Sequence, residues 1–115
     1  MPRTVRQAAE AFEKYDARTT KKMAEYNREG GSVRQPVRST KGASRSDQYD
    51  RAKFIFRKAA QALSAGHPLK DKNGTPTPAA MQFKRWGAKV PQNQADLQAL
   101  KSLGQRLKDR YKPKE

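Results

Sequence analysis

The chain has 115 residues, of which 26 are lysine or arginine and 11 are aspartate or glutamate, so its formal net charge at pH 7 is +15. It has no cysteine, which excludes disulfides and thiolate metal sites, and its sequence has no apolar run of membrane-spanning length. Such an excess of positive charge attracts polyanions, of which nucleic acid is the commonest, because neutralising phosphates releases counterions. We therefore expect one small domain with a polyanionic partner.

The first predicted helix occupies most of residues 1–29. Thr4 is its expected N-cap, and Gly30 and Gly31 end it. Apolar residues recur at helical spacing, at Val5, Ala8, Phe12, Tyr15, Met23 and Tyr26. Few of them are large, so this N-terminal amphipathic helix needs another surface to pack against.

Residues 30–46 are predicted to form a flexible basic arm. They contain glycine, serine and proline and no acidic residue. Basic residues recur every three or four positions, at Arg34, Arg38, Lys41 and Arg45. Pro36 and Gly42 argue against a helix. An extended arm of this kind either follows a phosphate backbone or lies on a protein surface.

The second predicted helix begins at Ser44, which pairs with Asp47 as a cap, and ends at Gly66. Its spacing of three and four residues predicts a core-facing stripe of Tyr49, Ala52, Phe56, Ala59 and Leu63. Asn73 and Gly74 then favour a tight turn, and we expect no sheet around it.

Phe54 lies almost opposite that stripe, on a face that also carries Arg51, Arg57 and Lys58. An aromatic ring among cations can stack on a base while the cations hold phosphates. It can equally anchor a protein contact. The alternative is that the N-terminal helix covers Phe54, so that Phe54 and Ile55 form a second buried face.

Two further helices complete a core domain over residues 47–115. The third begins at Thr77 and Pro78 and is closed by Gly87. Its large apolar residues are expected in the core, and its cations are expected to point outward. The expected core residues are Met81, Phe83 and Trp86. The cations expected on the surface are Lys84 and Arg85, and Lys89 follows the helix. The fourth is capped by Asn93 with Asp96 and places Leu97, Leu100, Leu103, Leu107 and Tyr111 on one face. Gly104 interrupts it, which costs roughly 1 kcal/mol relative to alanine.

Segments 78–86 and 92–111 also fit a helix-turn-helix, which would place Gln92, Gln94, Gln98 and Lys101 at base edges. An ordinary packing corner between two helices is the alternative. His67 has no cysteine, second histidine or clustered carboxylates to act with, and it is expected only to cap a helix end. Without nucleophile or phosphate-loop motifs, the chain is not expected to be an enzyme or to hold a cofactor or metal.

These patterns predict a mainly α protein that binds nucleic acid, DNA or RNA, with low sequence specificity and without catalysis. The predicted contact residues are Arg34, Arg38, Lys41, Arg45, Arg51, Phe54, Arg57, Lys58, Lys84, Arg85 and Lys89. The main alternative is a structural or assembly component, such as a virion-type or subunit-bridging protein whose arm contacts neighbouring subunits. A weaker alternative is an adaptor or inhibitor of another protein, and another is a solvated surface with no polyanion. The expected location is the cytoplasm or nucleoid, or a virion, since no signal peptide is apparent.

Overall fold

The computed structural model describes residues 5–33 and 36–113. They form four helices, α1 (Val5–Arg28), α2 (Arg45–Ala65), α3 (Pro78–Arg85) and α4 (Gln94–Tyr111). Within these residues no strand forms, and Lys70 and Pro76 make an isolated antiparallel bridge. The prediction of a mainly helical chain, with three helices after an N-terminal one, is confirmed. None of the described helices is both long enough and apolar enough to cross a membrane.

The helix starts follow from the predicted caps. The Ser44 hydroxyl accepts a hydrogen bond from the Asp47 amide at 3.1 Å, and the Asn93 side chain accepts one from the Asp96 amide at 2.9 Å. Thr77 accepts one from the Ala80 amide at 3.4 Å. Each cap satisfies an amide that the first helical turn leaves without an intrahelical partner. The predicted cap Thr4 lies outside the described residues.

The end of α2 also has the expected chemistry. Gly66 adopts a left-handed conformation with φ of 67°, and its amide donates to the Ala62 carbonyl. The His67 amide donates to the same carbonyl at 3.1 Å. A left-handed residue just past the helix satisfies the last carbonyls, and glycine adopts it without a Cβ clash.

The core lies where α2 and α4 pack against each other, with α3 across one end. Its buried members are Ile55, Ala59 and Ala62 of α2, Leu69 of the segment between α2 and α3, Ala80 and Phe83 of α3, and Leu97 and Leu100 of α4. Leu63, Ala88 and Val90 pack against this cluster. Most of the buried volume on α2 is alanine, so neighbouring helices approach it closely.

At Gly104, α4 lies in close contact with α2. The residue is buried, and a Cβ built on it would lie 2.6 Å from the Phe56 backbone nitrogen and 2.8 Å from the Phe56 Cα. Gly104, which is predicted to destabilise α4, therefore has a packing role. Without a side chain at this position, the two backbones can meet.

The predicted core stripe of α2 is shifted by one residue. Ile55 is fully buried, whereas Phe56 is only half-buried. The prediction of Phe56 as a core residue is therefore wrong, and so is the idea that Ile55 belongs to a second face with Phe54. The two stripes share Ala52 and Ala59, so spacing alone does not separate them. At Gly104, α4 lies against the backbone and Cβ of Phe56.

Candidate nucleic-acid interface

A groove of about 890 Å³ lies among α1, the segment after it, α2, the end of α3 and α4. We call it the aromatic groove, because four aromatic and five basic side chains of the described residues line it. The aromatic residues are Tyr15, Phe54, Phe56 and Trp86, and the basic residues are Lys53, Arg57, Lys58, Arg85 and Lys108. Among the described residues, Asp50 is the acidic residue of this lining. The groove thus combines flat apolar surfaces with an excess of positive charge.

Phe54 forms one wall of the groove with Trp86. The two rings stack with their centroids 4.3 Å apart and their planes 16° apart. Both residues are half-buried. Trp86, at the end of α3, covers one side of Phe54. Residues of α1 line the same groove, and the idea that α1 covers Phe54 stays a prediction. Trp86, predicted in the core, instead lines the groove, while Phe83 and Met81 are buried as predicted.

Lysines lie over several aromatic rings on this side of the molecule. The Lys108 ammonium is 4.4 Å from the centroid of the Phe56 ring, and the Lys58 ammonium is 5.9 Å from that of Phe54. Outside the groove, Lys84 lies 4.7 Å from the ring of Phe12. Such exposed cation–π contacts are worth about 0.5–1 kcal/mol, so a ligand can displace them. They keep positive charge next to each ring.

Arg85 is buried, which overturns the prediction that it points outward. It is 3 % exposed and forms an ion pair with the Asp16 carboxylate at 3.0 Å. It also donates to the Asp16 carbonyl at 3.1 Å and to the Thr20 hydroxyl at 3.3 Å. Because α1 packs over α3, it brings a carboxylate to this guanidinium. No local pattern near Arg85 predicts that contact.

Asp16 also binds Arg38 of the predicted arm. The Arg38 guanidinium donates to both carboxylate oxygens, at 2.8 and 2.7 Å. This hydrogen bonding holds the pKa of Asp16 below its ordinary value of 3.8, although partial burial opposes the shift, and the charges of Arg38 and Arg85 add to it. One carboxylate therefore connects α1, the arm and α3.

Acid is expected to weaken the connection made by Asp16. A carboxyl group whose pKa is lower in the folded protein stabilises the fold above its ordinary pKa, and that stabilisation is lost as the pH falls through the folded value. Asp16→Asn should lower the free energy of unfolding at pH 7 by about 1.5–3 kcal/mol, as for hydrogen bonds to a charged group. It should also reduce the loss of stability as the pH falls below the ordinary carboxyl pKa of 3.8. Urea unfolding followed by circular dichroism measures both effects.

The matched control for this prediction is Glu10→Gln on the same helix. Glu10 forms an exposed ion pair with Arg6 at 3.3 Å, so its neutralisation should change stability by less than about 1 kcal/mol. Equal effects of the two substitutions at pH 7 would show that Asp16 does not hold α1 in place.

Two other predicted contact residues bind backbone carbonyls. Arg51 donates to the carbonyls of Trp86 at 2.7 Å and Gly87 at 3.0 Å, just past α3. Arg45 donates to the carbonyls of Arg110 and Lys112 at 3.0 Å, at the end of α4. Cations at helix C-termini satisfy carbonyls that lack intrahelical partners. These two guanidinium groups therefore hold the fold together, whatever else they bind.

The remaining predicted residues divide between the groove and the general surface. Phe54, Arg57, Lys58 and Arg85 line the aromatic groove. Outside the groove, Lys41, Lys84 and Lys89 are exposed. Arg34 lies outside the described residues. Groove residues that the sequence did not single out for binding are Tyr15, Lys53, Phe56, Trp86 and Lys108. They come from separate helices, so only the tertiary fold brings them together.

The link from α3 to α4 has the geometry of an ordinary connection between two packed helices. It covers residues 86–93, longer than the three or four residues of a helix-turn-helix turn. Ala88 and Val90 of this link pack against the core, and Pro91 is buried. The alternative interpretation of this region as a packing corner is thus the better one.

Comparison with known proteins adds no family. No model of a protein family matches the chain, and no curated protein or solved structure matches it. Within residues 5–33 and 36–113, no three histidine, cysteine, aspartate or glutamate side chains come together in a way that could hold a metal ion. What the protein does must therefore be inferred from its charge and from the aromatic groove.

Proposed function

We propose that this protein is a non-enzymatic nucleic-acid-binding protein of low sequence specificity, which holds phosphates with basic side chains of the arm and of the helices. The observation that carries this proposal is the formal net charge of +15 on 115 residues. Charge of this size exceeds what solubility requires of a small domain. It favours a polyanionic partner, and nucleic acid supplies the highest density of negative charge.

The positions of the basic side chains support phosphate contact over base readout. Lys41, Arg57, Lys84 and Lys89 are exposed, and no carboxylate among the described residues forms an ion pair with any of them. They come from the arm, α2, α3 and the link before α4. Scattered flexible cations neutralise phosphates and position a protein without reading sequence. Low specificity is therefore the expected property.

Binding to random-sequence oligonucleotides should weaken steeply as salt rises. Each phosphate contact contributes about 0.9 to the slope of log affinity against log salt for duplex DNA and about 0.7 for single strands. Neutralising Lys41, Arg57, Lys84 or Lys89 to glutamine should lower affinity alike for all sequences and reduce the slope by about that amount. Fluorescence anisotropy over a salt series measures both quantities.

The control for these variants is Arg6→Gln. It removes the same charge from an exposed residue that already forms an ion pair with Glu10. It should therefore change the slope less than the four substitutions do. No binding at low salt, or binding independent of salt, would contradict the proposal.

A structural or assembly role is the second candidate, favoured by the exposed apolar surface at the end of α1. Tyr26 is 55 % and Val33 is 37 % exposed. The Asn27 side chain holds the Val33 backbone through two hydrogen bonds, of 2.8 and 3.1 Å. Exposed apolar groups held in place suit contact with a neighbouring subunit. A large self-assembled species on size exclusion, with weak affinity for nucleic acid, would favour this role.

A further inference from the structure

We infer that the aromatic groove binds single-stranded nucleic acid in preference to duplex, with unpaired bases stacked on its rings and with Arg57, Lys58 and Lys108 holding the phosphates. This inference rests on the proposed function and names the kind of strand that the groove accepts. It depends on three features of the groove, namely its rings, its cations that pair with no carboxylate of the described residues, and the spacing between rings and cations.

The first feature is the aromatic surface. Phe54, Phe56 and Trp86 are each half-buried, so part of each side chain is accessible in the groove. In a duplex, the faces of the bases are covered by their neighbours in the stack. Only an unpaired, splayed base offers a flat face to an aromatic side chain. Accessible rings in a positively charged groove therefore favour a single strand.

The second feature is the positive charge. Lys53 forms an ion pair with Asp50 at 3.3 Å, and Arg85 is paired with Asp16. For Arg57, Lys58 and Lys108, no carboxylate of the described residues lies within ion-pair distance. These three cations are therefore available to the phosphates of a strand that runs along the groove.

The third feature is the spacing between cations and rings. Lys108 lies 4.4 Å from the centroid of Phe56, and Lys58 lies 5.9 Å from that of Phe54. A lysine side chain is flexible, so its ammonium can move off the ring and still reach the phosphate next to a stacked base. Each pair thus matches the two chemical parts of one nucleotide. An acidic peptide would meet the cations but would leave the rings without a flat partner.

The protein carries its own reporter for this site. Trp86 is the single tryptophan of the chain and stacks on Phe54 in the groove. Titrating the full chain with oligothymidine should quench its fluorescence. A base-paired hairpin of equal phosphate number should quench it little and bind at least about tenfold more weakly. An abasic strand of the same length should bind more weakly than oligothymidine, because it retains the phosphates and lacks the bases.

Variants separate stacking from charge. Phe54→Leu keeps an apolar side chain beside Trp86 and removes the ring, so affinity for oligothymidine should fall roughly 5- to 150-fold. Phe54→Tyr should restore most of it. Lys58→Gln should reduce the salt slope by about 0.7 for a single strand. Lys72→Gln is the matched control, because Lys72 is exposed in a turn away from the groove. If Phe54→Leu fails to fold, Lys58→Gln and the abasic strand still test the inference.

The outcomes also separate this inference from the proposed function. Equal affinity for hairpin and single strand, with unchanged Trp86 fluorescence, would overturn the inference and leave nucleic-acid binding intact. Absence of binding to either at low salt would overturn both. Quenching by polyglutamate, with none by oligothymidine, would identify the groove as a site for acidic protein segments and so overturn the inference.

Discussion

Replacing Phe83 with alanine is expected to lower the free energy of unfolding by about 3–5 kcal/mol. The side chain is fully buried, and it packs in one cluster with Ile55 of α2 and Leu97 of α4. Because α3 is short, its packing against the other helices depends largely on the Phe83 ring. Small domains have only about 5–15 kcal/mol of stability, so the variant should melt far below the parent or fail to fold. Thermal and urea unfolding followed by circular dichroism measure the loss.

Phe56→Ala is the control for Phe83→Ala, because it removes the same atoms from a half-buried position. Its loss of stability should be clearly smaller, since part of the Phe56 ring faces the aromatic groove and Lys108. Equal losses for the two alanines would mean that Phe56 belongs to the core as fully as Phe83 does, contrary to the structure.

Gly104→Ala should destabilise the protein by about 1–3 kcal/mol, the usual effect of overpacking. Alanine favours a helix over glycine by roughly 1 kcal/mol, so in an exposed helix this change would stabilise. Here the new Cβ would meet the backbone nitrogen, Cα and Cβ of Phe56 at 2.6, 2.8 and 2.9 Å. Backbone atoms cannot rotate away as a flexible side chain can, so α2 and α4 must separate. Urea unfolding would show a lower midpoint.

Ser102→Ala is the matched control for Gly104→Ala. Ser102 is exposed on the same helix, so alanine there should raise stability by a few tenths of a kcal/mol through helix propensity alone. If Gly104→Ala instead raised stability as Ser102→Ala does, α2 and α4 would have to tolerate a wider separation at no cost.

The sequence predicts well those features that depend on neighbouring residues. Ser44, Thr77 and Asn93 cap their helices because each side chain meets an amide three residues on. Gly66 ends α2 for a similarly local reason. Such contacts lie within one turn of the chain, so four helices and the starts of α2, α3 and α4 could be read from composition and spacing.

Features that depend on distant residues could not be predicted. Arg85 is buried because Asp16 reaches it from a helix far away in the chain. The close contact of Phe56 with Gly104 joins α2 to another helix. The stack of Phe54 on Trp86 likewise joins α2 to the end of α3. The aromatic groove is made of such contacts, so its residues appear individually in the sequence and together only in the fold.

The ion pair between Asp16 and Arg38 sets a limit on how far the arm can reach. Arg38 is fixed at α1, and Arg45 is fixed at the end of α4 through carbonyls of residues 110 and 112. Lys41 is three residues beyond the first of these two anchors, and an extended chain covers about 3.5 Å per residue, so Lys41 can move only roughly 10 Å from Arg38. While both contacts hold, any partner of Lys41 must come close to the surface of this same molecule. Bridging to a neighbouring subunit at a distance would first require Asp16 to release Arg38.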